Sequence, residues 1–174
     1  MNSLDHRVEQ WVVAHRAAPF DTFFVALSHI GSYGIVWLTL GVLTAIYLRR
    51  PTAFALVVIA YYTSAALSDV VKLLVERPRP VDHPLVPEPT SASFPSGHAA
   101  TSFACAATLS FMLPRHAAPV LYALAAAIAY SRVYVGVHYA LDVMAGAALG
   151  LGVAIALRRL PAALRRSRQA RQPG

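Results

Sequence analysis

Three ionisable residues interrupt an apolar stretch between Ser131 and Asp142: Arg132, His138 and Asp142. Ionisable side chains in membrane-like sequence are costly to bury and generally face a binding site or a partner. His138 and Asp142 are four residues apart, a spacing that places both on one face of a helix. The carboxylate could then bind one ring nitrogen and leave the other free to attack an electrophile or carry a proton.

Two further cations lie near the end of an earlier apolar run. Lys72 is the single lysine of the chain, and Arg79 follows it after six intervening residues. With Arg132, these side chains offer many hydrogen-bond donors and no acceptors, which is what a multiply charged oxyanion such as phosphate requires. The three cations therefore predict a phosphate site.

The next apolar run opens with Ser96, Gly97 and His98. A helix that begins there would direct free backbone N–H groups at an anion, and glycine would let that anion approach closely. In phosphoryl transfer, His98 and His138 could divide the roles of proton donor and nucleophile.

Each of these residues also has a plain structural interpretation. His138 and Asp142 could be a hydrogen-bonded helix pair, and Lys72 could extend from a span end to the membrane interface. Asp69 is expected to neutralise a neighbouring cation, and Arg77 to be an interfacial anchor or an accessory lipid contact. The presence of several such motifs in one chain favours the catalytic interpretation.

The composition predicts that these residues lie in a membrane protein. Of the 174 residues 57% are hydrophobic, and the formal net charge is +7. Most arginines lie at the ends of apolar runs, without an interleaved basic and aromatic surface, so the charge does not indicate nucleic-acid binding. Cys105 is the only cysteine, which excludes an intrachain disulfide and a cysteine metal cluster.

The apolar runs predict an all-α, polytopic transmembrane helical bundle of five to six spans. Residues 1–18 predict an amphipathic helix in the membrane interface. The run 19–30 is shorter than the ~20 residues of a full span, so whether it crosses the bilayer is open. Residues 81–94 predict a loop. The predicted spans are 33–48, 52–75, 96–113, 117–130 and 137–157.

The arginines also predict an orientation. Arg49, Arg50, Arg115 and the tail 161–174 fall on one side of the membrane, and the positive-inside rule makes that side cytoplasmic. The polar residues between Lys72 and Asp142 then come together at the outer end of the bundle.

These residues, in this order, resemble the three-part signature of the type 2 phosphatidic acid phosphatase superfamily. Three spaced motifs in the right order are more specific than any one of them alone. The three parts are Lys72 with Arg79-Pro80, then Pro95-Ser96-Gly97-His98, then Ser131-Arg132 with His138 and Asp142.

The resemblance implies a lipid phosphatase that uses no metal and no other cofactor. His138 would attack phosphorus and form a phosphohistidine, and Asp142 would orient His138. His98 would protonate the leaving oxygen and later activate water. The residues that would hold the phosphate are Lys72, Arg79, Ser96, Gly97 and Arg132.

The expected organisation is an interfacial amphipathic helix at 1–18, a transmembrane lipid phosphatase domain at 19–160 and an Arg-rich cytoplasmic tail at 161–174. The expected location is the bacterial plasma (inner) membrane, with several spans and the active site on the outer, periplasmic or extracytoplasmic, face. The expected partners are the membrane and a lipid phosphate, without nucleic acid. The oligomeric state and the route of lipid entry are open.

The expected substrate is undecaprenyl diphosphate. Alternatives are phosphatidylglycerol phosphate, phosphatidate, a lipid A phosphate and a prenyl-phosphoryl sugar phosphate. A different class of protein, a transporter or lipid-binding protein, could use the same cations to capture an anion without chemistry. Vanadate-dependent haloperoxidases are similar in the pocket, but they are soluble and much larger.

Overall fold

The computed structural model describes residues 3–80 and 84–169, with the backbone alone for residues 3 and 160–169. These residues contain no β-strand, so the all-α prediction is confirmed. A 3₁₀ turn, Ser32–Gly34, joins the second helix to the third. The helices are α1 (Ser3–Ala14), α2 (Ala18–Gly31), α3 (Ile35–Leu48), α4 (Pro51–Val75), α5 (Gly97–Ser110), α6 (Ala117–Tyr134) and α7 (Ala140–Gln169).

Several helices are long and apolar enough to cross a membrane. By length and composition, four stretches of the described chain qualify. The helix α5 has only 14 residues, but ten of them are buried at the centre of the bundle. Counting α5 gives five membrane segments, in agreement with the predicted polytopic bundle. The four stretches are Ala18–Leu48, Pro51–Val75, Ala117–Tyr134 and Ala140–Arg159.

Small residues allow α5 to lie at the centre, with α4, α6 and α7 packed against it. A Cβ atom on Gly146 would collide with the carbonyl oxygen of Ser96, and one on Gly150 would collide with that of Ala100. Glycines four residues apart let two helix backbones approach closely, as is common in membrane bundles. The close contact of α5 and α7 brings the start of each helix to the same end of the bundle.

The helix α2 contacts one end of α6. Asp21 accepts a hydrogen bond from the Tyr134 hydroxyl, and Gly31 lies against Ile128. The 14 residues of α2 correspond to about 21 Å of helix, short of the ~30 Å of a bilayer core. By itself, α2 is therefore shorter than a full span.

The loop after α4 folds back over the helix ends. Glu76 adopts a left-handed conformation with φ of 46° and ends α4, and the prolines that follow cannot continue a helix. The loop is fastened by its backbone, since the Ser93 N–H donates to the Arg77 carbonyl oxygen at 2.8 Å and the Leu85 N–H donates to that of Val135 at 2.9 Å.

The opposite end of the bundle carries the arginines of the predicted cytoplasmic side. The guanidinium of Arg158, near the end of the last apolar run, lies 4.5 Å from the ring of Phe111, just after α5. Both residues line a cavity with Leu56, near the start of α4. The turns after α3 and α5 and the end of the α7 span therefore share one end, as the charge pattern predicts.

The helix α1 packs on α6 and α7, where Val12 is buried with Val133 and Tyr134. Its place in the membrane interface and the cytoplasmic location of the tail stay predictions. Parts of the predicted segments lie outside the described residues: 1–2 of the first helix, 81–83 of the loop and 170–174 of the tail.

Candidate active site

Arg79 lies in the loop after α4, and hydrogen bonds fix its guanidinium. Nε donates to the Ser91 carbonyl oxygen at 2.8 Å, and Nη2 donates to the Ser91 hydroxyl and the Ala92 carbonyl oxygen, each at 3.2 Å. Nη1 donates to the Val137 carbonyl oxygen at 2.7 Å and lies 3.2 Å from Nε2 of His138. A guanidinium has five N–H donors, so the N–H that faces His138 is the one that a phosphate oxygen could take over without breaking the loop.

His138 and Asp142 meet, but not on one helix face. Because α7 begins at Ala140, His138 lies in the turn before the helix. Its Nδ1 is 3.5 Å from Oδ2 of Asp142, and this oxygen also accepts the Tyr139 N–H at 2.9 Å. The one-face prediction is therefore wrong. The carboxylate satisfies a free N–H at the helix start and still reaches the histidine.

The end of α6 fixes the turn that carries His138. The N–H groups of Val137 and His138 both donate to the carbonyl oxygen of Arg132, each at 3.2 Å. Gly136 has a φ of 78°, which glycine adopts without the strain that a side chain would introduce. These backbone contacts hold His138 in a fixed position relative to the end of α6, which carries Arg132.

The surroundings of His138 favour its neutral form. Burial lowers the pKa of His138 to about 4, the hydrogen bond to Asp142 opposes this shift, and the cations Arg79 and Arg132 reinforce it. The imidazole is therefore neutral at pH 7, with one protonated nitrogen and one lone pair. Since Nδ1 faces the carboxylate, the lone pair belongs to Nε2, the nitrogen that faces Arg79.

The first turn of α5 lies beside Lys72 and Asp142. Ser96 caps this helix, since its hydroxyl oxygen accepts the Ala99 N–H at 3.5 Å, and its own N–H donates to the Asp142 carbonyl oxygen at 2.9 Å. A Cβ atom on Gly97 would lie 3.5 Å from Nζ of Lys72. The Lys72 ammonium therefore lies close to the helix start, where free N–H groups favour an anion.

Lys72 forms the ion pair that the sequence predicts for Asp69. Its Nζ lies 3.0 Å from Oδ1 of Asp69, whose side chain is 70% exposed. An ion pair with so exposed a partner is weak because water screens it. A phosphate group could therefore compete for the ammonium.

The sequence predicted no part in the site for α2 or for the 3₁₀ turn that follows it, yet one serine from each contacts a predicted site residue. The Ser28 hydroxyl accepts a hydrogen bond from Nη1 of Arg132, and Oγ of Ser32 lies 3.2 Å from Nε2 of His98. Within the described residues, Nε of Arg132 is buried without a hydrogen-bond partner. That donor is free for a phosphate oxygen. The available signal was the four-residue spacing of Ser28 and Ser32, two hydroxyl residues at the end of an apolar run.

Two more residues that sequence reasoning missed bind Asp142. The Ser93 hydroxyl donates to Oδ2 of Asp142, and Nη1 of Arg77 donates to Oδ1 at 2.6 Å. Nη2 of Arg77 donates to Asp5 at 2.8 Å. The interpretation of Arg77 as an interfacial anchor is wrong, because its side chain is only 12% exposed and is paired with two carboxylates.

The structure brings all eight predicted residues to the same end of the bundle. His98 lies close enough to the cations Lys72, Arg79 and Arg132 to be influenced by their charges. The eight residues are Lys72, Arg79, Ser96, Gly97, His98, Arg132, His138 and Asp142.

Two cavities meet at this end. The larger, of about 980 Å³, is lined by Lys72, Arg77 and Arg79. The smaller, of about 120 Å³, is lined by Gly97 and His98, and Asp69 borders both. In residues 3–80 and 84–169, no group of three or more His, Cys, Asp or Glu side chains could hold a metal ion.

The fold and the site together define a polytopic helical membrane protein with a cationic pocket that contains two histidines. The family model of the PAP2 superfamily matches residues 52–166. The chain belongs to this superfamily, which confirms the resemblance and makes the chain a member of a family of membrane lipid phosphatases.

Relatives and solved structures agree with this assignment. The chain is 41% identical over 132 residues to the decaprenylphosphoryl-5-phosphoribose phosphatase of Mycobacterium tuberculosis, covering 73% of this chain and 72% of the relative. It is 34% identical over 141 residues to the undecaprenyl-diphosphatase of Sulfolobus acidocaldarius, covering 78% and 68%. The crystal structure of a transmembrane PAP2 type phosphatidylglycerolphosphate phosphatase from Bacillus subtilis matches with a TM-score of 0.78 at 27% identity, covering 91% of this chain and 85% of that one.

Proposed function

We propose that this chain removes a terminal phosphate from an isoprenoid lipid, with undecaprenyl diphosphate as the first candidate substrate. His138 is the proposed nucleophile, and no metal ion takes part. The observation that carries the proposal is the position of His138: Asp142 binds one ring nitrogen, and the other faces a guanidinium that could hold the phosphate.

In the proposed first step, Nε2 of His138 attacks phosphorus and the bond from phosphorus to the leaving oxygen breaks. His98, in its protonated form, gives a proton to that oxygen and becomes neutral, and a phosphohistidine remains. The N–H of Arg79 that faces Nε2 in the free enzyme turns to a phosphate oxygen, and Nε of Arg132 donates to another.

In the second step, His98 takes a proton from water and the oxygen of that water attacks phosphorus. The bond between phosphorus and His138 breaks, which releases inorganic phosphate and restores the neutral imidazole. Lys72, Arg79 and Arg132 stabilise the charge on the phosphoryl oxygens in both transition states. These three side chains take the place that a metal ion has in other phosphatases, which supports a metal-independent reaction.

The proposed location is the bacterial inner membrane with the site on the outer face. The support is that the arginine-bearing turns lie at the end of the bundle opposite the site. A cysteine in place of exposed Pro87 should react with an impermeant thiol reagent outside intact cells, whereas one in place of exposed Arg115 should react only after permeabilisation. The reverse pattern would invert the topology.

A second candidate substrate is a prenyl-phosphoryl sugar phosphate. The larger cleft continues from Arg79 to Glu88, Thr90 and Ser91, whose oxygen atoms could bind sugar hydroxyls. The Mycobacterium tuberculosis relative, named for a phosphoribose lipid, supports this candidate. The exchange Glu88→Ala should then lower kcat/KM for a sugar-phosphate lipid and leave that for a prenyl diphosphate unchanged.

The test is phosphate release by the purified protein in detergent with excess chelator. The panel contains undecaprenyl diphosphate, a prenyl-phosphoryl pentose phosphate, phosphatidylglycerol phosphate, phosphatidate and a lipid A phosphate. We expect release from an isoprenoid substrate that persists in chelator and disappears in His138→Ala. Translocation without phosphate release would indicate a transporter. Halide oxidation with added vanadate would indicate a haloperoxidase. Loss of activity in chelator would indicate a metal-dependent reaction.

A further inference from the structure

The buried carboxylate of Asp142 depends on a cation outside the family signature. Its side chain is fully buried, and a buried carboxylate is costly unless it is paired and hydrogen-bonded. Oδ2 serves His138, Ser93 and the Tyr139 N–H. Oδ1 is bound by Nη1 of Arg77 at 2.6 Å. Arg77 therefore binds Oδ1, the carboxylate oxygen of Asp142 that the other contacts do not use.

Arg77 is in turn held by α1. Its Nη2 donates to Oδ2 of Asp5 at 2.8 Å, and its guanidinium stacks over the Tyr139 ring at 4.2 Å. Burial acts to lower the pKa of Arg77, but the hydrogen bonds and charges of Asp5 and Asp142 outweigh it, so that pKa is raised. The guanidinium is thus held between two carboxylates and an aromatic face.

Asp5 also binds the helix that carries Asp142. Oδ1 of Asp5 accepts the N–H of Leu141 at 3.1 Å, in the first turn of α7. A carboxylate in this position interacts favourably with the helix N-terminus. Asp5, a buried side chain of α1, therefore binds both Arg77 and the N-terminus of α7, and Arg77 in turn binds Asp142.

We propose that Arg77 and Asp5 are positioning residues for the reaction. Through Asp142 they fix the ring of His138 for attack on phosphorus, and they couple α1 to the rate of the chemical step. This inference rests on the proposed function, in which His138 is the nucleophile. It assigns a role in catalysis to a helix that carries no signature residue.

Asp5 provides a cleaner test than Arg77, because Arg77 also lines the cleft and could contact the substrate. A displacement of about 1 Å in a reacting group can cost roughly a hundredfold in rate. We expect Asp5→Ala to lower kcat for farnesyl diphosphate about tenfold, since Arg77 keeps its contact with Asp142 but loses its anchor. KM should stay within about twofold, because Asp5 does not contact the phosphate.

The isosteric Asp5→Asn keeps one acceptor oxygen and should retain more activity than Asp5→Ala. The matched control is Asp21→Asn on α2, which changes another carboxylate with an inter-helix hydrogen bond, to Tyr134, that does not touch Arg77 or Asp142. This control should keep wild-type kcat. Rates are referred to the amount of monodisperse full-length protein, so that a folding defect is counted separately.

A double-mutant cycle shows whether Asp5 acts through Arg77. Residues that act through one contact give non-additive losses, so Asp5→Asn combined with Arg77→Lys should be no slower than Arg77→Lys alone. Wild-type kcat in both Asp5 variants, a rise in KM alone, or additive losses in the double variant would overturn the inference. The proposed function would instead fail if the wild-type protein released no phosphate or if His138→Ala remained active.

Discussion

The part of the chain from α4 to α7 and the part from α1 to α3 contribute to the site in different ways. All eight predicted site residues lie between Lys72 and Asp142, and the helices before α4 carry none of them. Yet Asp5, Ser28 and Ser32 contact Arg77, Arg132 and His98, respectively. In this account the C-terminal part supplies the groups that meet the phosphate, and the N-terminal part holds those groups in place.

The difference has a chemical reason. A group that stabilises the transition state must have one charge and one geometry, which restricts it to a particular residue type. A group that merely satisfies a buried arginine or histidine can be any hydroxyl or carboxylate at the right distance. The first kind of residue forms a signature along the sequence, and the second kind does not.

The largest effect is expected in the C-terminal part. Arg132→Gln removes the charge and the free Nε donor, and loss of one such donor typically costs about a hundredfold to a thousandfold in kcat. Steady-state phosphate release would measure it. Arg132→Lys keeps the charge but lacks the planar guanidinium and its paired N–H donors, so kcat should fall less than in Arg132→Gln. A wild-type rate in Arg132→Gln would remove Arg132 from the phosphate site.

A smaller effect is expected in the N-terminal part. Ser28→Ala removes the hydroxyl that holds Arg132, and we expect kcat to fall about tenfold, since the cation stays but is less well placed. Ser64→Ala is the matched control, because Ser64 is equally buried but donates only within α4, to the carbonyl oxygens of Ala60 and Tyr61. If Ser28→Ala were as slow as Arg132→Gln, Ser28 would not be a mere positioning residue, and the proposed difference between the N-terminal and C-terminal parts would be wrong.

A third prediction concerns stability instead of chemistry. Gly150→Ala introduces a Cβ against the Ala100 carbonyl oxygen, and overpacking of this kind typically costs about 1–3 kcal/mol. Gly152→Ala, two residues on, meets no atom within 4 Å and should be neutral or slightly stabilising. Thermal denaturation in detergent should show a lower midpoint for Gly150→Ala alone. Equal midpoints would contradict the close contact of α5 and α7.

The smallest effect is on pH dependence. Protonation of His138 removes the attacking lone pair, so the acid limb of phosphoenzyme formation should follow its pKa, lowered to about 4. Single-turnover rates should therefore fall as the pH approaches 4. Arg79→Lys keeps the neighbouring charge and should keep the limb. An acid limb with an apparent pKa near the unperturbed histidine value of about 6.5 would contradict the burial of His138.

The sequence predicted the architecture and that the eight residues come together at one end of the bundle, because hydropathy and the spaced signature depend on residue type along the chain. It did not predict that His138 precedes α7, because Asp142 accepts the Tyr139 N–H in a cap that the four-residue spacing does not encode. It also predicted that Arg77 is an interfacial anchor or an accessory lipid contact, and not a partner of Asp142. A local pattern could not reveal that Asp5, 72 positions earlier, folds back to bind this guanidinium. Contacts of that kind depend on how helices pack, not on their own periodicity.

The most direct test of the account is an acid-free chemical quench of the wild-type protein during turnover of substrate labelled in its terminal phosphate. A phosphohistidine intermediate would give a protein-bound label that is stable to base and labile to acid, as a phosphoramidate is. We expect this label to map to His138 and to be absent from His138→Ala. No trapped label, together with inversion of configuration at phosphorus, would mean that water attacks directly and that His138 is not the nucleophile.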